Sequence, residues 1–188
     1  MSGNQKKLAV LFADISASSD LYEKLGDALA LQSIAQCVAI MTRELPAFQG
    51  TLIKVIGDEI MCTFPNAEQA FHAACAMQNA VENNKYQDGT PMHIRIGFHY
   101  GEVIHESGDV FGDTVNIAAR VTAITRASQI ILTQAAMDVL PPALQDKTRQ
   151  LKRAEFKGKP AQFEIFMVIW ASDEKLSARI GTPAQRKL

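Results

Sequence analysis

Apolar and polar residues follow one another along this chain in two rhythms, and each switch between them marks a change of element. Leu8-Ala-Val-Leu-Phe-Ala13 is an unbroken apolar run, too short for an ordinary helix, and predicts a buried strand over residues 7–13. The next segment, Ser16-Ala-Ser-Ser-Asp20, is rich in residues that cap helix N-termini. From there Leu21, Leu25, Leu29, Ile34, Val38, Met41 and Leu45 recur every three to five positions. That spacing keeps one apolar stripe on a single long amphipathic helix, which Pro46 stops. Thr51–Ile56 and Ile60–Phe64 are strand-like runs separated only by Gly57-Asp58-Glu59, which predicts a hairpin with an aspartate at its tip. A second helix is expected over residues 67–83, burying Ala67, Ala70, Phe71, Ala74, Met77 and Val81.

After the Asp88-Gly89 turn, Met92-His-Ile-Arg-Ile-Gly-Phe98 alternates with period two and predicts a strand that continues through Gly101 into Val103-Ile104. A short loop, Glu106-Ser-Gly-Asp109, leads to a helix over residues 113–126 and a short strand, Ile130–Thr133. A short helix over 134–140 ends at Pro141-Pro142, and two strands near 149–156 and 162–170 close the unit. The opening order β-α-β-β-α-β predicts an α+β fold, a ferredoxin-like split sandwich with helices on one face of an antiparallel sheet and additional C-terminal α/β elements. Residues 1–170 read as one domain. Residues 171–188 turn to Ser, Lys, Arg, Gly and Pro and read as a polar tail or a linker to a regulatory domain outside this chain.

Composition narrows the partners. With 188 residues, 47% hydrophobic content and a net charge of −1, the chain has enough apolar material for one sizeable core and no basic field to hold nucleic acid. No apolar stretch reaches the roughly 18 residues of a membrane span. The first apolar run is too short for the core of a signal peptide, so the expected location is cytoplasmic. Cys37, Cys62 and Cys75 lack paired spacing and read as small hydrophobes, and the four histidines lack a metal-ligand spacing.

The candidate chemistry sits where apolar runs break. Asp14 ends the first strand and Asp58 tips the hairpin. Two carboxylates at adjacent strand ends suit a hard divalent cation, which takes one or two protein carboxylates and leaves its other positions to substrate phosphates. Either aspartate alone would equally serve as an ordinary turn residue. Lys54 stands in a strand otherwise full of Ile, Leu and Val, where an ammonium must reach water or a ligand. Asn116 and Arg120 lie four apart in a predicted helix and share one face.

Phe12-Ala-Asp-Ile-Ser-Ala-Ser18, Lys54-Val-Ile-Gly-Asp58 and Phe111-Gly-Asp-Thr-Val-Asn-Ile-Ala-Ala-Arg120, in this order, resemble three motifs of the class III adenylyl and guanylyl cyclase catalytic domain. The resemblance runs from about Leu8 to Trp170 and is strongest to the bacterial adenylate cyclases. It implies that Asp14, Asp58 and the main-chain carbonyl of Ile15 hold two Mg²⁺ or Mn²⁺ ions per active site. It implies that Lys54 and Asp109 read the purine, that Asn116 places the ribose, and that Arg120 steadies charge on the phosphates. Lys157 matches a further phosphate-contacting lysine, with Lys159 a near alternative.

In the family, Lys with Asp at the two purine positions goes with adenine, and Glu with a small residue goes with guanine. An ammonium can donate to N1 of adenine and a carboxylate can accept from its 6-amino group, so the substrate expected is ATP, with GTP or both as the alternative. Family sites are shared between the subunits of a head-to-tail homodimer, and this chain carries both halves. A nucleotide-binding or dimerising module without turnover is the reading from another class. The sequence departs from the best-known members in a short loop between Gly101 and Asp109, and in Glu59, which follows Asp58 where many members carry a small residue. The extra carboxylate of Glu59 either alters metal affinity or faces solvent, and the second is expected.

Overall fold

The computed structural model describes residues 4–86, 89–151, 154–155 and 162–171. Strand β1 (Asn4–Ile15) lies in the interior of the sheet. It pairs antiparallel with β3 (Glu59–Phe64) on one side and β4 (Ile94–Glu106) on the other. Beyond β3 lies the edge strand β2 (Thr51–Ile56). On the other side the order continues through β6 (Ile130–Thr133) and β10 (Ile165–Val168) to β7 (Thr148–Gln150), while β5 (Asp109–Phe111) pairs with the end of β4. Two short strands, β8 (Ala154–Glu155) and β9 (Gln162–Phe163), pair with each other.

The expected α+β architecture is present, with two departures that have clear causes. First, β4 and β6 run parallel, because the chain between them crosses the sheet through helix α4 (Asp113–Ile124) rather than turning back in a hairpin. Second, helices cover both faces. Ala9, Leu11, Ala13 and Ile15 of β1 pack towards α2 (Asp27–Arg43) and α3 (Ala67–Asn83), whereas Leu8, Val10 and Phe12 pack with Met61, Val103, Val110 and Ala118 beneath α4. An apolar run without alternation buries both faces of its strand, so the second layer was implied by Leu8–Ala13 itself.

The single long helix expected before Pro46 is two helices, α1 (Ser18–Leu25) and α2. Gly26 divides them with φ 75° and ψ 165°, a backbone that side chains disfavour, closing α1 through its N–H to Tyr22 and opening α2 through its carbonyl to Ala30. The kink turns Leu29 out to 44% exposure, so it leaves the predicted stripe. Near the C-terminus, α5 (Gln134–Met137) is shorter than expected, and Pro142 begins a further helical turn, α6 (Pro142–Gln145), instead of ending one. The strand expected over 149–156 appears as β7 and β8, and that over 162–170 as β9 and β10. The tail beyond Ala171 lies outside the described residues. Cys37 and Cys62 are buried as expected, and Cys75 is partly exposed.

Close approach of α4 to the sheet depends on one residue without a side chain. A Cβ at Gly97 of β4 would lie 2.6 Å from the backbone nitrogen of Thr122 and 2.8 Å from its Cα. Thr122 also hands its hydroxyl to the Ala118 carbonyl at 2.9 Å. Gly97→Ala should therefore push α4 off β4 and cost about 1–3 kcal/mol, the usual penalty for overpacking. Urea denaturation of the two proteins measures this, and an unchanged midpoint would contradict it.

Candidate active site

Register alone assembles a charged row across three neighbouring strands. Asp14 of β1 is paired with Glu59 of β3 on one side and with Arg95 of β4 on the other. Directly paired residues share a sheet face, so Glu59, Asp14 and Arg95 stand side by side on the face that α4 covers further along. Arg95 donates from Nε to Asp14 Oδ2 at 2.7 Å, and its Nη2 lies 2.5 Å from the same oxygen. Asp58 occupies the turn between β2 and β3, after Gly57 at φ 63°. Its carbonyl accepts a long 3.4 Å bond from the N–H of Ile15, which brings the hairpin tip over the end of β1. Asp14, Ile15 and Asp58, the three expected metal ligands, thus meet at one end of the sheet.

The electrostatics of that end are those of anions crowded together. Burial raises the carboxyl pKa of Asp14 above its usual range, with Arg95 pulling it back down and Asp58 adding to the rise. Glu59 is half-buried, and burial followed by the charge of Asp14 pushes its pKa up to about 7. It does not simply face solvent, because pairing with Asp14 fixes it on the crowded face. Among the described residues no group of three or more His, Cys, Asp or Glu is arranged to hold a metal by itself. Two aspartates offering hard oxygen ligands, with repulsion to relieve, fit Mg²⁺ or Mn²⁺ in the way such ions bind when phosphate oxygens complete their shell.

The expected purine-reading residues come together at a second place. Lys54 of β2 is paired with Met61 after an irregularity that follows Leu52, and its Nζ meets Asp109 Oδ2 at 2.6 Å. Asp109 is the first residue of β5, delivered by the tight turn Ser107-Gly108, in which both residues have positive φ. Its Oδ1 accepts from the N–H of Val110 at 2.8 Å. The hydrogen bond from Lys54 is the main reason the Asp109 carboxyl lies below the usual range. The pair is partly exposed, open to a ligand from solvent.

Helix α4 carries the remaining two residues. Ile117, Ala118, Val121 and Thr122 press on the sheet, and Asn116 is exposed on another side of the helix. Arg120 is half-buried, and its Nη1 is enclosed without a hydrogen-bond partner among the described residues. A guanidinium nitrogen held in this way is prepared for an acceptor such as a phosphate oxygen. Lys157 and Lys159 lie outside the described residues. The structure adds Arg95 to the site, which the sequence reading passed over. Its signal was present in the alternation of β4, where Arg95 and Gly97 share the side opposite buried Ile94, Ile96 and Phe98.

Comparison with known proteins gives this arrangement a family. Residues 2–169 match the model of the adenylate and guanylate cyclase catalytic domain. The chain belongs to that family. An uncharacterized protein of Mycobacterium tuberculosis is 32% identical over 135 residues, covering 71% of this chain and 35% of that protein. An adenylate cyclase of Streptomyces coelicolor is 29% identical over 136 residues, covering 72% and 34%. The cyclase domain described here thus spans about a third of the length of these curated relatives. Among solved structures, an adenylate cyclase from Trypanosoma brucei in its monomeric state superposes with a TM-score of 0.79 over 87% of this chain and 90% of that one. At 16% identity that likeness shows the fold. No helix among the described residues is long and apolar enough to cross a membrane.

Glu59 leaves a mark on the stability of this cyclase domain when divalent cations are chelated. Burial and the neighbouring Asp14 push its carboxyl up to about 7 in the fold from the ordinary 4.5, so between these values the folded state holds a proton that the unfolded chain has released. The stabilising contribution is complete below pH 4.5 and is lost as pH rises through about 7. Denaturation of wild type and Glu59→Gln across this range should show wild type losing stability relative to the variant towards alkaline pH. Parallel curves would contradict the assignment.

Proposed function

We propose that this domain is an adenylate cyclase that converts ATP to 3′,5′-cyclic AMP and pyrophosphate at the interface of a head-to-tail homodimer. The observation that carries the substrate is the Lys54–Asp109 pair, which offers one donor and one acceptor within 2.6 Å of each other. Adenine presents the complement, an acceptor at N1 beside a donor at its amino group. Guanine presents the reverse along that edge and would leave both protein groups mismatched, an outcome that buried recognition sites reject strongly.

The chemistry is attack of the ribose 3′-hydroxyl on the α-phosphorus. A new O–P bond forms, the bond to the bridging oxygen of the β-phosphate breaks, and pyrophosphate leaves with that electron pair while the hydroxyl proton passes to solvent. Two Mg²⁺ or Mn²⁺ ions, when bound, would lower the pKa of the hydroxyl and steady the attacking and leaving oxygens. Asp14 and Asp58, with the Ile15 carbonyl, would hold them, and Arg95 keeps the Asp14 carboxylate in one orientation through Oδ2. Asn116 orients the ribose. Arg120 meets the charge that builds on the phosphate oxygens, where its planar fork binds two at once. Lys157 is assigned a contact to the same phosphates.

The direction of α4 supports sharing of the site between subunits. The side of the helix bearing Ile117, Ala118 and Val121 lies on its own sheet, and Asn116 is presented to solvent, where a second chain can bring its Asp14 and Asp58. A symmetric pair then has two complete sites, each built from both chains. Asp58→Ala and Arg120→Ala should each abolish turnover, and mixing the two inactive proteins should restore part of it through heterodimers with one intact site. Failure to recover activity when heterodimers are shown to form would rule out the shared site.

Product analysis tests the substrate. Purified chain incubated with ATP or GTP and each metal ion should yield cyclic AMP from ATP, with specific activity rising with protein concentration. Cyclic GMP as the main product would overturn the reading of Lys54 and Asp109, and absence of any product despite nucleotide binding and dimer formation would favour a non-catalytic module.

A further inference from the structure

Glu59 belongs to the charged row and has no part in the reaction as drawn above, yet its position is costly. It sits half-buried beside Asp14 in an antiparallel ladder, next in sequence to Asp58, with Ile60 fully buried behind it. The backbone register cannot release it to solvent without breaking the β1–β3 pairing, and a carboxylate confined among like charges opposes folding. Glutamine would fill the same space without the repulsion.

The charge count at this end of the sheet gives that carboxylate a purpose. Arg95 lies on Asp14, so these two cancel, and Asp58 alone would leave the site with a net charge of minus one. Glu59 in its ionised form adds a second negative charge directly beside Asp14, which strengthens the attraction for divalent cations. We propose that Glu59 sets the affinity of the site for its divalent cation, acting by charge from beside Asp14 and not as a third ligand. Among the described residues no group of three carboxylates is arranged to hold an ion, so no coordination bond is assigned to Glu59. It compensates for the arginine that orients Asp14, so the site keeps both an ordered ligand and a full attraction for the ion. This inference rests on the reading of Asp14 and Asp58 as metal ligands.

The test is binding of Mn²⁺ alone to the purified full chain, followed by water-proton relaxation, for wild type, Glu59→Gln, Glu59→Asp and Asp58→Asn. Glu59→Gln should bind about tenfold more weakly, the scale of loss seen when groups behind metal ligands are removed. Glu59→Asp, which keeps the charge, should stay close to wild type. Asp58→Asn should lose saturable binding. Wild-type affinity in Glu59→Gln with loss in Asp58→Asn would overturn the role of Glu59 alone. No saturable binding by wild type, or none lost in Asp58→Asn, would overturn the metal site beneath it. Equal weakening in Glu59→Gln and Glu59→Asp, with a lowered melting temperature in both, would show a structural residue and overturn the charge argument.

Discussion

An interior strand of the sheet, β1, must bury both of its faces and still carry a carboxylate at its end. Strand β1 is paired along both edges and covered above and below, so Asp14 at its end is 8% exposed, at a place where an isolated charge would be prohibitive. Arg95 resolves this from the adjacent strand. A buried ion pair contributes little net stability against its desolvation cost, but removing one partner leaves the other stranded. The pair therefore fixes where Asp14 points more than it stabilises the fold. Everything at that end of the sheet is arranged around the fixed carboxylate. The hairpin tip folds over it and brings Asp58, the ladder brings Glu59, and the last residue of the strand offers Ile15.

The same logic recurs at Lys54 and Asp109 in a wetter setting. This pair is partly exposed, and a surface ion pair of this kind is worth little to the fold. Its worth lies in holding a donor and an acceptor at fixed separation. The short Ser107-Gly108 turn is what makes that possible, since it sets Asp109 on β5 at the height where the long side chain of Lys54 arrives from β2. A longer connection between β4 and β5 would place the acceptor by its own flexibility instead of by the sheet.

How far the sequence speaks for itself depends on the range of the interaction. The strands, α3 and the hairpin aspartate are legible because their causes are local: period, apolar content and a glycine at the turn. The division of the first helix was also local, marked by Leu25-Gly26-Asp27, but a stripe that tolerates steps of three to five residues passes over a one-residue kink without visible disturbance. The second helical layer could be inferred from a run with no alternation, whereas the parallel pairing of β4 and β6 could not, because it follows from which strand the chain meets after crossing the sheet. For the candidate site, motif spacing pointed to Asp14, Asp58, Lys54, Asp109, Asn116 and Arg120. Arg95 and the confinement of Glu59 were missed because both arise from cross-strand register between segments 81 and 45 residues apart, which no local pattern encodes.

Most of the charges of this chain that face the proposed chemistry are already answered within it. Asp14 has Arg95 and Asp109 has Lys54. Such pairs let a single chain fold with its site half-formed and without waiting for a ligand, since the four paired ions are compensated before any substrate arrives. Binding then becomes an exchange of partners. An incoming nucleotide has only to offer better partners than the chain offers itself, and it pays little for ordering groups that are ordered already. Asp58 and Glu59 are left for cations, and on the cationic side the enclosed Nη1 of Arg120 is a donor with no acceptor among the described residues. An unanswered donor on α4, set against paired groups elsewhere, is what a fold would show if one of its charges were kept for an anion brought by substrate and a second chain together.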